Sequence, residues 1–368
     1  MDDSSDDTIE FDDSGRCNYC RAASASPVLI QPAETKAMRL QALLIEMKNA
    51  GRDNKYDCIM GLSGGLDSSY LALMGYRWGL RVLAVHIDDG FDSDISKGNI
   101  DRLVDATGFD YVTINPDSKQ FAGLTKAYLR AGVPNIAVPQ DNVLFAFLHK
   151  QAKEHRIPYF ASGGNFALES ILQKGNTHTA YDLVNLRDIN RKFGTTAIDR
   201  LPLLSTLGKM RDHFIGGIDA VRPLDLIDYR KDTAFQELRE FSGFQYYGRK
   251  HLENHLTEFA QLYWFYHKFG VDKRTSHLSS LIVSGQMTRD QALDEYAKPI
   301  YSETKMKACI DLICSRLEIS RSELDLLVSE PGRQHSYYAT EQSRLWYQAS
   351  LGLLRAARMP WTKIRARR

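Results

Sequence analysis

No stretch of this 368-residue chain is apolar for anything close to the ~18 residues that a membrane-crossing helix requires. Cysteine is scarce. Five residues scattered at positions 17, 20, 58, 309 and 314 are too few and too dispersed for a disulfide framework. Charge of one sign is not in excess: 47 Lys and Arg against 46 Asp and Glu leave a formal +1, so no strong field steers the chain to nucleic acid or to a membrane surface. The start lacks the basic residues of a signal peptide and is acidic instead, at Asp2, Asp3, Asp6 and Asp7. The one basic cluster, residues 363–368, reads as a solvated tail. The expectation is a cytoplasmic protein with no nucleic-acid and no membrane partner.

What is present is ordinary for a globular protein, 43% apolar and 25% charged, with a length that suits two domains. Residues 1–35 read as a polar leader containing Cys17-Asn18-Tyr19-Cys20. An amphipathic helix follows, with Leu40, Leu43, Leu44 and Met47 on one face and Gly51 at its end. Short apolar runs at 58–62, 81–87, 110–114 and 159–162 then alternate with helical stretches around 100–106 and 142–155. That alternation predicts an α/β domain over 36–225 with a doubly wound parallel sheet, whose ligands bind at the carboxyl ends of the strands. Beyond about residue 225 strand signals fade. Runs at 233–241, 251–268, 289–296, 305–316 and 321–328 read as helices, and 226–368 is expected to be a mostly helical, substrate-binding region.

The loop Ser63-Gly64-Gly65-Leu66-Asp67-Ser68-Ser69 stands directly after the first strand and before a helix. Two glycines let the backbone approach a ligand, three hydroxyls add donors, and the following helix N-terminus favours an anion. The kinase-type loop Gly-x-x-x-x-Gly-Lys-Ser/Thr occurs nowhere in the chain, so the loop reads as a grip on pyrophosphate that leaves the α-phosphorus open to attack. Ser-Gly-Gly-x-Asp-Ser after a strand resembles the signature of the PP-loop (N-type) ATP pyrophosphatases. The resemblance implies ATP and Mg²⁺, with Asp67 near the metal–phosphate cluster and the adenine at the end of the second strand, at His86, Ile87 and Asp88. Members of that family adenylate an oxygen, and a nitrogen or sulfur nucleophile then displaces AMP.

Further blocks narrow the resemblance. Tyr247-Gly248-Arg249-Lys250-His251-Leu252-Glu253, Lys268-Phe269-Gly270-Val271-Asp272-Lys273-Arg274, His277-Leu278-Ser279-Ser280 and Ser162-Gly163-Gly164-Asn165 with Glu169 are similar to N-acetyl sugar amidotransferases of bacterial surface-polysaccharide (lipopolysaccharide O-antigen) biosynthesis. What this implies is conversion of an N-acetyl group on a nucleotide-linked sugar to an acetamidino group. Asp67, Lys250, His251, Glu253, Lys273 and Arg274 are then the expected catalytic residues. The 63–69 loop, His86, Ile87, Asp88 and Ser162 to Asn165 would hold ATP, and Glu169, Lys268, Asp272, His277, Ser279 and Ser280 the acceptor. The cationic cluster suits an anionic nucleotide sugar.

Cys17 and Cys20 have the spacing of two zinc ligands, and a tetrahedral site needs two more. The family pattern opens with an earlier CxxC, so the expectation is that half of a Zn²⁺ site lies upstream of Met1. His251 and His255, four apart, would share a helix face and could also ligate zinc. The chain has Asp2 where an N-terminal glutaminase nucleophile would be cysteine, and no Gly-x-Cys-x-Gly elbow. The expected ammonia source is a separate glutaminase partner, an ammonia-channelling pair like that of histidine biosynthesis. A tRNA-modifying PP-loop enzyme, thiolase or lysidine-type, is the alternative reading.

Overall fold

Among the residues that the computed structural model describes, 8–344 together with Met1, Asp6 and Tyr347, five strands form one parallel sheet. They are β1 (Cys58–Gly61), β2 (Val82–Ile87), β3 (Asp110–Ile114), β4 (Tyr159–Ala161) and β5 (Asp219–Val221), in the spatial order β3-β2-β1-β4-β5. The basic tail 363–368 and Asp2, Asp3 and Asp7 lie outside the described residues.

β1 and β2 are buried on both faces, which is why they read as continuous apolar runs. Their side chains alternate between two cores. Cys58, Met60, Val82 and Ala84 join Met47, Leu71, Leu73, Ile100 and Leu238 on one side of the sheet. Ile59, Leu83 and Val85 join Leu148, Ala152 and Phe160 on the other. Helices Leu66–Arg77, Asp94–Thr107 and Lys231–Ser242 supply the first layer and helix Val138–Glu154 the second. The α/β class and the doubly wound parallel sheet therefore stand as expected.

A third apolar core lies in the helical part. Leu124, Tyr128, Leu186 and Ile189 meet Phe259, Trp264, Ile310, Ile313 and Leu324 there. The Trp264 indole donates to the Val133 carbonyl oxygen at 2.9 Å, so the buried ring keeps its hydrogen bond. No helix among the described residues is long and apolar enough to cross a membrane.

Two departures from the sequence reading bear on function. β5 is three residues long and only partly buried, so it carries no hydrophobic signal. The stretch expected to be one helix over 251–268 is not one. His251 has φ 65°, the helix begins at His255 behind the Asn254 cap, and Phe259–Trp264 winds as π-helix. His251 and His255 consequently share no helix face, and the zinc pair suggested by their spacing is not formed.

The strand order locates the ligand crevice. The chain runs outward from β1 to β2 and β3, then crosses back to β4 on the other side of β1. The loops after β1 and β4 therefore leave in opposite directions and open a crevice between them, where open α/β sheets take their ligands.

Candidate active site

The loop after β1 lines that crevice. Gly64 has φ 71°, and a Cβ on it would stand 2.2 Å from the Ser96 carbonyl oxygen. A Cβ on Gly65 would stand 2.4 Å from Glu253 Oε1. Ser63 Oγ accepts from Gly65 N at 3.2 Å and lies 3.1 Å from Ser68 Oγ, which pins the turn. Gly65 begins helix Leu66–Arg77 and offers no side-chain cap to its first-turn amides. Such a helix start favours an anion.

Asp67 projects from the first turn of that helix. It accepts from the Tyr229 hydroxyl and from Lys250 Nζ at 2.7 Å. The same ammonium lies 3.0 Å from Glu169 Oε1. Glu169 is positioned from the β4 side, where buried Asn165 caps the short helix Phe166–Glu169 by accepting from Leu168 N at 2.9 Å. Burial disfavours all these charges, yet mutual attraction wins: the Lys250 ammonium is held above its usual pKa and the Asp67 carboxyl below its own. One buried cation bridging two carboxylates marks the place where a divalent cation fits. Asp67 and Glu169 are the hard oxygen donors that Mg²⁺ takes.

Residues 247–254 wall the crevice from above. The Tyr247 hydroxyl accepts from Leu66 N at 2.9 Å. His251 Nε2 lies 3.8 Å from Glu169 Oε1, and burial followed by Lys250 pushes its pKa down to about 3, so the imidazole is neutral. Its ring centroid is 5.7 Å from that of His277, which burial and His251 likewise hold neutral. Asn254 donates to Asp89 at 3.1 Å and Asp92 at 3.2 Å, tying this segment to the exit of β2.

Glu253 stands against the Ser-Gly-Gly loop. Its Oε1 accepts from Ser63 Oγ at 3.3 Å, and its Oε2 is buried without a partner. Burial raises its carboxyl from 4.5 to about 7. The folded chain then binds a proton that the unfolded chain has lost, so this group makes stability fall as pH rises from 4.5 to about 7. Glu253→Gln removes the titration. Thermal melts should show the variant gaining on the wild type across that window, by up to about 3 kcal/mol. A pH-independent difference would mean that the carboxyl titrates normally.

One cleft of about 310 Å³ thus collects Ser63, Gly65, Leu66, Asp67, Ser68, His86, Ile87, Ser162, Gly163, Gly164, Glu169, Lys250, His251 and Glu253. Gly64 packs behind it on Ser96, Ser69 is buried within its helix, and Asp88 turns to Lys97 at 3.1 Å. A neighbouring cavity of about 270 Å³ shares Leu66, Asp67, Tyr247 and Lys250 with the cleft and adds Lys231, Tyr246, Arg249, Arg274 and His277.

Other expected site residues are not brought to the cleft. Lys268 donates at 2.6 Å to both the Leu327 and Glu330 carbonyl oxygens and staples a helix end. Arg274 is held by Asp272 at 2.6 Å and lies over the Tyr296 ring. Lys273 lies over Phe265, with burial lowering its pKa to about 8. Ser279 accepts from the Met1 ammonium at 3.1 Å, and Ser280 accepts from Ile171 N at 3.1 Å. Cys17 caps a helix by accepting from Cys20 N at 3.3 Å. Among the described residues no third His, Cys, Asp or Glu completes a metal-binding group with those two thiols. The pair alone does not fit a closed Zn²⁺ site.

Asp89 and Asn254 were given no individual role in the sequence reading, and Tyr229 was absent from it. Asp89 and Asn254 adjoin quoted motifs, whereas Tyr229 carries no motif and is found only through its contact with Asp67.

Solved structures similar to this chain include NMN synthetase from Francisella tularensis (14% identity, 80% of this chain and 96% of that one, TM-score 0.39). NAD⁺ synthetase from Burkholderia pseudomallei matches at 16% identity over 63% of this chain and 95% of its own, with a TM-score of 0.30. No curated protein matches the chain. Residues 253–351, which start at Glu253 in the cleft wall and take in the third apolar core's later helices, match the family described as LPS biosynthesis protein WbpG-like, C-terminal domain.

Proposed function

We propose that this chain is an ATP-dependent amidotransferase that converts the acetamido group of a nucleotide-linked sugar to an acetamidino group. The observation that carries the reading is the convergence of Asp67, Glu169 and Lys250 beside a Ser-Gly-Gly loop at the start of a helix. The family match over residues 253–351 supports a place in lipopolysaccharide biosynthesis.

An amide carbon is a poor electrophile. In the proposed reaction the acetamido oxygen attacks the α-phosphorus of ATP, the bond to the β-phosphate oxygen breaks, and pyrophosphate leaves. Ammonia then adds to the activated carbon and loses a proton to the surroundings. The carbon–oxygen bond breaks with AMP as the leaving group, and splitting the hard step in two lowers the barrier. The 63–69 loop and Lys250 hold pyrophosphate and stabilise the charge that develops on it. Asp67 and Glu169 would hold Mg²⁺, which supplies charge neutralisation when bound. The acceptor enters from the neighbouring cavity, where Lys231 suits an anionic nucleotide sugar.

Burial pushes the Cys58, Cys309 and Cys314 thiols up and Cys20 up to about 11, and Cys17 Sγ is engaged as a helix cap, so none supplies a glutaminase thiolate. A separate glutaminase subunit is therefore proposed as the ammonia source. The test is incubation with ATP, Mg²⁺, ammonium and a panel of nucleotide-linked N-acetylated sugars and uronates. Pyrophosphate release and a product mass in which NH replaces O are expected. Release of ADP, or no stimulation by any acceptor, would overturn the reading. Glutamine alone, with the isolated chain, should give no product.

A further inference from the structure

We infer that the exit of β2 is a second metal site, with His86, Asp88 and Asp92 as ligands for a first-row divalent transition ion such as Mn²⁺ or Zn²⁺. The donor atoms of these three residues all lie within 4.8 Å of one another. The site lies on the β2 wall of the same cleft, where the sequence resemblance places the adenine, but none of its three ligands is within bonding distance of Asp67, Glu169 or Lys250.

The histidine is set up as a ligand. His86 Nδ1 lies 2.8 Å from the Leu62 carbonyl oxygen, which can only accept, so Nδ1 carries the proton. That leaves Nε2 facing outward, the nitrogen a metal ion would take. An N–H anchored on a backbone carbonyl is the support that metal-binding histidines have. Nε2 faces Asp92 Oδ2 at 3.2 Å, and both atoms are buried without a hydrogen bond. Nε2 and Oδ2 buried this close need a cation between them, and a divalent ion can take the place of the proton that would otherwise bridge them. The spacing fits: two ligands about 2.1 Å from one ion at roughly right-angled to tetrahedral geometry stand about 3.0–3.4 Å apart.

The surroundings are short of positive charge. Asp88, Asp89 and Asp92 cluster within five positions, and Lys97 is the cation that reaches them, on Asp88 Oδ2 at 3.1 Å. The other Asp92 oxygen accepts from Asn254 at 3.2 Å, which fixes the carboxylate without neutralising it. His86 and Asp92 both line the cleft, so an ion can enter. An imidazole beside carboxylates favours a first-row transition ion over Mg²⁺. Through Asn254 the ion would brace the 247–254 wall, the segment that carries Lys250.

The test uses the full chain, stripped with a chelator and free of nucleotide. With Mg²⁺ in excess to fill the Asp67–Glu169 pair, Mn²⁺ titration followed by electron paramagnetic resonance should show one bound Mn²⁺ per chain, displaced by Zn²⁺. His86→Asn and Asp92→Asn should each weaken binding by at least about tenfold. Asp67→Asn should leave it unchanged. No binding by the wild type, or undiminished binding by both His86→Asn and Asp92→Asn, overturns the site, and so does loss of the ion in Asp67→Asn alone. Nitrogen NMR of the stripped protein gives a readout without variants. It should show a neutral His86 whose Nε2 shifts on Zn²⁺ addition; an imidazolium insensitive to Zn²⁺ would mean a plain ion pair with Asp92.

Discussion

Lys250→Met should reduce AMP and pyrophosphate formation by about a thousandfold, with the loss in kcat rather than in acceptor KM. Lys250 is the one side chain that touches both Asp67 and Glu169, at 2.7 and 3.0 Å. In the proposed reaction it stands where negative charge gathers as pyrophosphate departs, in a site where little water screens it. Methionine keeps the length of the stem and removes the charge. The two carboxylates are then left facing each other, and breaking such a buried pair costs roughly 3–5 kcal/mol of stability. Mg²⁺ should restore part of the melting temperature of Lys250→Met, because it would neutralise the two carboxylates that the lost ammonium paired. Lys250→Arg should keep the two carboxylates paired but not restore the full rate, since the larger planar guanidinium spreads its charge over a fixed fork and cannot sit where the compact ammonium does. Lys268→Met provides the contrast. It removes the staple on the Leu327 and Glu330 carbonyls and should lower the melting temperature while leaving kcat near the wild-type value. Equal losses of kcat in the two variants would remove Lys250 from the chemistry.

The contrast between these lysines shows what a sequence can and cannot carry. Both sit in blocks that resemble one family, and both are cations near aromatics. Whether a cation meets a ligand or a helix-end carbonyl depends on a fold that brings residues 67 and 250 together across 183 positions. β1, β2 and β4 were legible because strands buried on both faces are continuous apolar runs, whereas β3, exposed at Asp110 and Thr113, still carries Tyr111, Val112 and Ile114. β5 was not, because three half-buried residues make no pattern. The 63–69 loop was legible because its geometry demands glycine and its hydroxyls sit at fixed places beside a helix start. The 251–268 stretch misled, because Leu252, Leu256 and Phe259 repeat at helical spacing while the backbone at His251 turns left-handed to bring Lys250 and Glu253 inward. The orphaned Nε2 of His86 had no signal in the sequence, since it depends on a carbonyl 24 positions away.

Gly64→Ala should lower the stability of the whole chain by about 2–5 kcal/mol and abolish measurable ATP cleavage. Two effects add. Alanine is strained at φ 71°, and its Cβ would stand 2.2 Å from Ser96 O and 2.7 Å from Ser96 Cα. That neighbour is backbone within helix Asp94–Thr107, so it cannot swing aside as a side chain would. The loop cannot retreat cheaply either, because Asn99 Nδ2 donates to the Gly64 carbonyl at 3.1 Å and to the Gln245 carbonyl at 2.9 Å. Any shift at Gly64 therefore pulls on the strand-to-helix turn and on the approach to the 247–254 wall together. Gly108→Ala separates the two effects. Gly108 has φ 65° with nothing within 4 Å of a built Cβ, so only the backbone strain remains, about 1 kcal/mol. Thermal melts of the two variants should differ by several degrees, with ATP cleavage retained in Gly108→Ala. Equal melting temperatures would show that helix Asp94–Thr107 gives way, and that the 63–69 loop is not held rigid by its contact with Ser96.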